Sequence, residues 1–187
     1  MKKLILLALI PAFLMGCKNS KEESERTDTQ QAGEDTSDIK ESTLIQVGQD
    51  VPEFSFETID GNTYKISELD GNIVLINFFA TWCPSCMEEM PALQEQVWEK
   101  YKDKEDFFMV SIGREHDMSE MKEFNEENDY TFKFAPDTGR VVYSKFAEKY
   151  IPRNVVVDKE GKIIYQCTGY KEEEFKQMLK ILKERLQ

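Results

Sequence analysis

Two periodicities divide the chain. Between residues 54 and 66 apolar and polar positions alternate, as Phe54-Ser55-Phe56-Glu57 and Tyr64-Lys65-Ile66, around the turn signal Asp60-Gly61-Asn62. Alternation sends successive side chains to opposite faces of a strand, so this stretch predicts a β-hairpin or a pair of short strands. Ile73 to Phe79 is almost wholly apolar and rich in strand formers, which predicts a strand buried on both faces. From Pro84 the period changes. Cys86, Met90, Leu93, Val97 and Tyr101 recur every three or four positions and predict an amphipathic helix to about Tyr101. Pro91 lies inside it and cannot donate to the carbonyl of Met87, so a kink is expected there.

Phe107 to Ile112 is the next apolar strand. One helix separates it from the first, so the two strands should be parallel, joined by a right-handed crossover. Gly113 to Asp117 reads as a polar loop, Met118 to about Asn128 as a helix with Met121 and Phe124 inward, and Phe132-Lys133-Phe134 as a short strand. After the turn Pro136 to Gly139, residues 140–150 read as a helix carrying Val142, Phe146, Ala147 and Tyr150 on one side, ended by Ile151-Pro152. Asn154 to Val157, the turn Asp158 to Gly161, and Lys162 to Gln166 form a hairpin. A last helix runs from about Lys171 to Leu186, with Phe175, Met178, Leu179, Leu182 and Leu186 facing the core. Residues 44–187 thus make one α/β domain of ordinary size.

The chain before residue 44 lacks such patterns. Met1-Lys2-Lys3 and the apolar run Leu4 to Leu14 have signal-peptide form, over residues 1–16, and are too short to span a bilayer. Leu14-Met15-Gly16-Cys17 resembles a bacterial lipobox, which implies cleavage before Cys17 and lipid on that residue. Residues 18–43 carry eight acids and four bases, with only Ala32 and Ile39 as apolar side chains. Such a segment buries too little surface to offset chain entropy, so residues 17–43 read as a disordered tether. The formal net charge of −12 makes nucleic acid an unlikely partner.

The chemistry concentrates where the buried strand meets the helix, at Trp82-Cys83-Pro84-Ser85-Cys86. A helix N-terminus stabilises a thiolate, and cysteines three apart in a first turn lie close enough to join. With one histidine and no second Cys-x-x-Cys, a four-ligand zinc site lacks soft ligands, and no metal or organic cofactor is expected. Glu89 shares a helix side with Cys86. If buried, it would have a raised pKa and could accept a proton from Cys86; if exposed, it is one more surface acid.

The order of elements around this motif resembles the thioredoxin fold, a central mixed sheet flanked by helices, here with an N-terminal β-hairpin extension. It is most similar to the TlpA/ResA-like, membrane-tethered thiol–disulfide oxidoreductases. The likeness rests on Val47 to Phe54, Leu75 to Pro91, Ile151-Pro152 and Asp158 to Ile163. It implies that Cys83 attacks a protein disulfide and Cys86 resolves the mixed disulfide. It also implies that Pro152 is a cis-proline facing the cysteines and that Ile151 offers backbone groups to an extended substrate. Pro84 and Ser85 would tune the potential; neither is basic, which leans toward a reductant. Trp82 would border the substrate. A membrane or soluble thiol donor outside the cytoplasm would supply electrons. Asn77 stands where thioredoxin has a buried acid and reads as a satisfied core polar residue. Arg153-Asn154 follow Pro152 where relatives often carry Thr. His116 reads as a solvated loop residue and Cys167 as a small buried hydrophobe. Two rival functions remain open: a peroxiredoxin-type thiol peroxidase using Cys83, and a tethered binding module in which the cysteines are structural.

Overall fold

The computed structural model describes residues 36–187, of which 37–187 form one unit. The proposed signal segment and Cys17 lie outside the described residues. The apolar run that predicted a buried strand is β3 (Ile73–Phe79), and every one of its residues is buried. It sits at the centre of a five-stranded sheet ordered β5-β4-β3-β6-β7, with β4 (Phe107–Arg114), β5 (Lys133–Asp137), β6 (Arg153–Val157) and β7 (Ile163–Thr168). β3, β4 and β5 are parallel; β6 and β7 run antiparallel to their neighbours. This is the mixed sheet of a thioredoxin-like fold. Pro136 falls in β5, on an edge, where a missing N–H is tolerated.

Strand alternation divides the core in two. Ile73, Leu75 and Phe79 face a layer built from α1 (Pro84–Leu93), α2 (Met118–Asn128) and α3 (Glu172–Arg185). Val74, Ile76 and Phe78 face the opposite layer, which holds Ile45, Phe54, Phe56, Tyr143 and Phe146. The hairpin β1 (Ser55–Glu57) and β2 (Thr63–Lys65) forms its own small sheet and contributes Phe56 to that second layer. Each layer is apolar enough to hold the sheet against both sides, as a doubly covered sheet requires.

Three expectations need adjustment. After Pro91 the long helix passes through a π-helical turn, Gln94–Trp98, before a last turn at Glu99–Tyr101. The helix expected over 140–150 is only a 3₁₀ turn, Tyr143–Lys145. The tether expected over residues 17–43 does not hold at its end: residues 37–41 are helical and Ser42 is buried. The last two departures share one cause. The Leu44 N–H donates to the Phe146 carbonyl at 2.9 Å, the Glu148 N–H donates to the Ser42 carbonyl at 2.9 Å, and Thr43 bridges Ala147. The Asp137 carboxylate accepts from the N–H groups of Val142 and Tyr143 at 3.0 and 2.8 Å. Backbone groups that a helix would have used are thus taken by the N-terminal segment and by Asp137.

Candidate active site

β3 ends at Phe79, and the chain turns through Ala80, Thr81 and Trp82 into α1. Cys83 is the N-cap of that helix, with extended backbone, and Pro84 occupies its first position. Proline is favoured there, where its missing N–H is not needed. Cys83 and Cys86 are joined as a disulfide, their Cα atoms 5.3 Å apart. The Cys86 N–H donates toward Cys83 Sγ at 3.3 Å, so a free backbone donor of the helix start is aimed at that sulfur. Ser85 Oγ lies 3.6 Å from the same sulfur.

Across from the disulfide, the Ile151–Pro152 peptide is cis, and the Ile151 carbonyl oxygen lies 3.8 Å from Cys83 Sγ. Ile151 is partly buried and Pro152 buried. Cys83 is itself 5% exposed, less accessible than its place at the helix tip suggests, and Cys86 is 1% exposed. Trp82 is 59% exposed, with the Arg114 guanidinium 5.8 Å from its ring. Phe79, by contrast, is a core residue among Phe124 and Phe134.

Beneath the disulfide lies a buried polar group. Glu89, one helical turn after Cys86, is 1% exposed, which removes the surface reading. Its Oε2 accepts from Asn77 Nδ2 at 3.0 Å and its Oε1 from Asn154 Nδ2 at 2.6 Å. Asn77 Nδ2 also donates to Asn154 Oδ1 at 2.9 Å, and Ser111 Oγ donates to Asn77 Oδ1 at 3.0 Å. Burial pushes the Glu89 carboxyl up to about 7, against the pull of the two amides, which favour the ionised form. Asn77 is therefore a direct partner of the acid. Asn154 completes the site; the chain pattern gave no signal for it beyond its place two residues after Pro152. Asn154 Nδ2 also lies 3.9 Å from Cys167 Sγ. Burial, then the charge of Glu89, pushes the Cys167 thiol up to about 12, so it stays protonated at neutral pH.

His116 corrects another expectation. It is buried, and its Nε2 accepts from the Thr81 N–H at 3.1 Å. Gly113 makes this approach possible: a Cβ there would collide with the Met121 sulfur and crowd His116. His116 is thereby tied to the segment that leads into Cys83.

No cluster of three or more His, Cys, Asp or Glu placed to hold a metal occurs among the described residues, nor any helix long and apolar enough to cross a membrane. A paired Cys-x-x-Cys at the first helix of a thioredoxin-like sheet defines the class: the protein is a thioredoxin-like thiol–disulfide oxidoreductase. The chain belongs to the Redoxin family, whose model matches residues 46–182. It is 31% identical over 127 residues to the thiol-disulfide oxidoreductase ResA of Bacillus thuringiensis (strain Al Hakam), covering 67% of this chain and 71% of that protein. It is 31% identical over 125 residues to the thioredoxin-like protein YneN of Bacillus subtilis (strain 168), covering 66% and 72%. The solution structure of a Bacteroides thetaiotaomicron protein proposed to be a protein disulfide isomerase is similar, with a TM-score of 0.74 and 32% identity. That match covers 78% of this chain and 92% of that one.

Proposed function

We propose that this enzyme reduces disulfides of partner proteins outside the cytoplasm while tethered to a membrane by lipid on Cys17. The observation that carries the reading is the Cys83–Cys86 pair at a helix start with the Ile151 carbonyl facing it. In the reduced enzyme the Cys83 thiolate attacks one sulfur of the partner's disulfide. A Cys83–partner bond forms, and the partner's other sulfur leaves as thiolate and takes a proton. Cys86 then loses its proton to Glu89 and attacks Cys83, releasing the second partner thiol. Two electrons pass to the partner, and the enzyme is left with the disulfide form described above. Ile151 presents backbone groups to an extended partner segment, Trp82 borders it, and Pro84 and Ser85 tune the potential. The couple resides in the cysteines, so the reaction as proposed uses no metal or organic cofactor. A membrane-bound or soluble thiol donor resets the pair. The basic head, apolar run and Leu14-Met15-Gly16-Cys17 support the location.

Cys83→Ser should abolish turnover of a disulfide substrate, while Cys86→Ser should trap the partner as a mixed disulfide visible on a non-reducing gel. Equilibration with dithiothreitol should give a potential nearer that of thioredoxin, about −270 mV, than that of a strong oxidant, about −120 mV. Absence of a reversible couple would overturn the reading. Cys17→Ser should move the protein from the membrane to the soluble fraction.

A further inference from the structure

An opening lies at Thr81, on the segment that leads into Cys83. It has a volume of about 230 Å³ and is lined by Thr81, His116, Glu120, Glu123, Phe124 and Glu127. Thr81 stands two residues before Cys83, so a partner segment that reaches the disulfide passes close to it. Glu120, Glu123 and Glu127 recur at intervals of three and four on α2, which places three carboxylates on one side of that helix. Glu123 and Glu127 are exposed. The helix has one basic residue, Lys122, and it lines a separate hollow with Ile59 and Asp60.

Acidic side chains alone are commonly just a solvated face. The floor of this opening adds an independent feature. His116 is 4% exposed, and with Nε2 accepting from Thr81 the neutral ring carries its hydrogen on Nδ1. Nδ1 is buried and has no hydrogen-bond partner. The nearest carboxylate oxygen, on Glu120, is 3.5 Å away and already accepts from the Asp117 N–H at 2.8 Å. A buried N–H left without an acceptor is costly, so the opening is incomplete as it stands. Its chemistry asks for a cation among the carboxylates and an oxygen acceptor at the floor. A basic residue within a polypeptide brings both, through its side chain and a backbone carbonyl.

We propose that this opening is a subsite for a lysine or arginine of the partner protein, on one side of its reacting cysteine. The cationic head lies among Glu120, Glu123 and Glu127, and a carbonyl of the same segment accepts from His116 Nδ1. The proposal rests on the disulfide-exchange reading and adds to it a rule for choosing substrates.

The test uses the full, reduced chain. Its substrates are peptides whose single cysteine is held as a mixed disulfide with 2-mercaptoethanol. Lysine, alanine or glutamate is placed at each of three positions before and after that cysteine. Lysine on one side should raise the second-order rate about two- to fivefold over alanine at low salt, the range of a partly exposed ion pair. The gain should fade at high salt. It should vanish in the Glu123→Gln, Glu127→Gln double variant, with the alanine peptide unaffected. Glu105→Gln with Glu160→Gln makes the same charge change at the end of the sheet where β4 begins and β6 turns into β7, away from the cysteines, and should keep the gain. An equal gain on both sides of the cysteine, or an equal loss in both double variants, is overall attraction to an acidic protein and would overturn the subsite. Exchange that ignores charge overturns it too, leaving the enzyme reading intact. Failure of the reduced chain to react with any peptide, together with failure of dithiothreitol to reduce the Cys83–Cys86 disulfide of the oxidised chain, would instead overturn that reading, and the subsite with it.

Discussion

Glu89 is buried on one face of the sheet and Arg153 on the other, and the protein treats the two differently. On the face covered by the three helices, Glu89 is met by the amides of Asn77 and Asn154. On the other face, Arg153 is 1% exposed among aromatic residues. It donates from Nη1 to the Thr43 hydroxyl at 3.2 Å, and its Nε has no acceptor. Burial raises the acid's pKa and lowers that of the guanidinium. The consequences diverge because the starting points differ. A carboxyl lifted to about 7 changes its charge near neutral pH. A guanidinium starts so far above neutrality that it stays charged. One face therefore holds a group that can trade protons one helical turn from Cys86, and the other a fixed charge that ties β6 to the N-terminal segment.

The largest way to break this contrast is Glu89→Gln. If Glu89 accepts the Cys86 proton, the resolving step should slow by about 100-fold or more, the range of lost general-base catalysis. Its rate should also lose the inflection near pH 7 that the raised carboxyl implies. Stopped-flow release of partner from the mixed disulfide measures both. An unchanged rate and profile would make Glu89 as inert as Arg153.

Stability gives an independent reading of the same group, with the cysteines held as disulfide. Because the folded pKa of Glu89, about 7, lies above the ordinary carboxyl value of 4.5, the folded state binds more protons than the unfolded state between those values. Stability from this group is fully present below about pH 4.5 and is lost as pH rises through about 7. The loss is about 3 kcal/mol, from 1.36 kcal/mol per pKa unit. Urea titrations at several pH values should show this slope in the wild type and not in Glu89→Gln.

Much of this arrangement was legible in the chain. The even run from Ile73 to Phe79 and the change of period at Pro84 fix β3, α1 and the cysteines between them. The resemblance supplied the partner stretch at Ile151-Pro152. What stayed hidden depends on contacts distant in sequence. Glu89 looks like its neighbour Glu88 until Asn154, 65 residues later, is brought against it. His116 reads as a loop residue because its partner is a backbone N–H 35 positions earlier. Residues 140–150 have helical spacing, but residues 42–44 claim their backbone groups. Periodicity reports which side chains face inward and is silent on which backbone groups are already taken.

Asn154→Ala sharpens the contrast by weakening one of the two bonds that hold the acid ionised. A hydrogen bond to a charged group contributes about 1.5–3 kcal/mol, and part of it can be replaced by water in the space the side chain leaves. The Glu89 inflection should therefore move up by about one unit. The same stability slope should extend to higher pH, and the resolving rate should reach its plateau later. A downward move, or none, would mean that burial alone sets the acid's state.

The smallest expected effect tests the other face. Arg153→Met keeps much of the volume and removes the buried charge. Replacing a buried charge by an apolar side chain is often neutral or stabilising, because desolvation of the ion offsets what its contacts contribute. Loss of the Thr43 hydrogen bond works the other way by about 1 kcal/mol. The net change in unfolding free energy should therefore lie within about 1 kcal/mol of zero. Since the guanidinium does not titrate in this range, the difference from wild type should be flat between about pH 5 and 9. Exchange rates should change by less than about twofold, because no proton is gained or lost on that face. A difference that follows pH, or a slowing comparable to that of Glu89→Gln, would show that the charge beside Pro152 is felt at the disulfide, and the two faces would no longer divide into one that reacts and one that only holds.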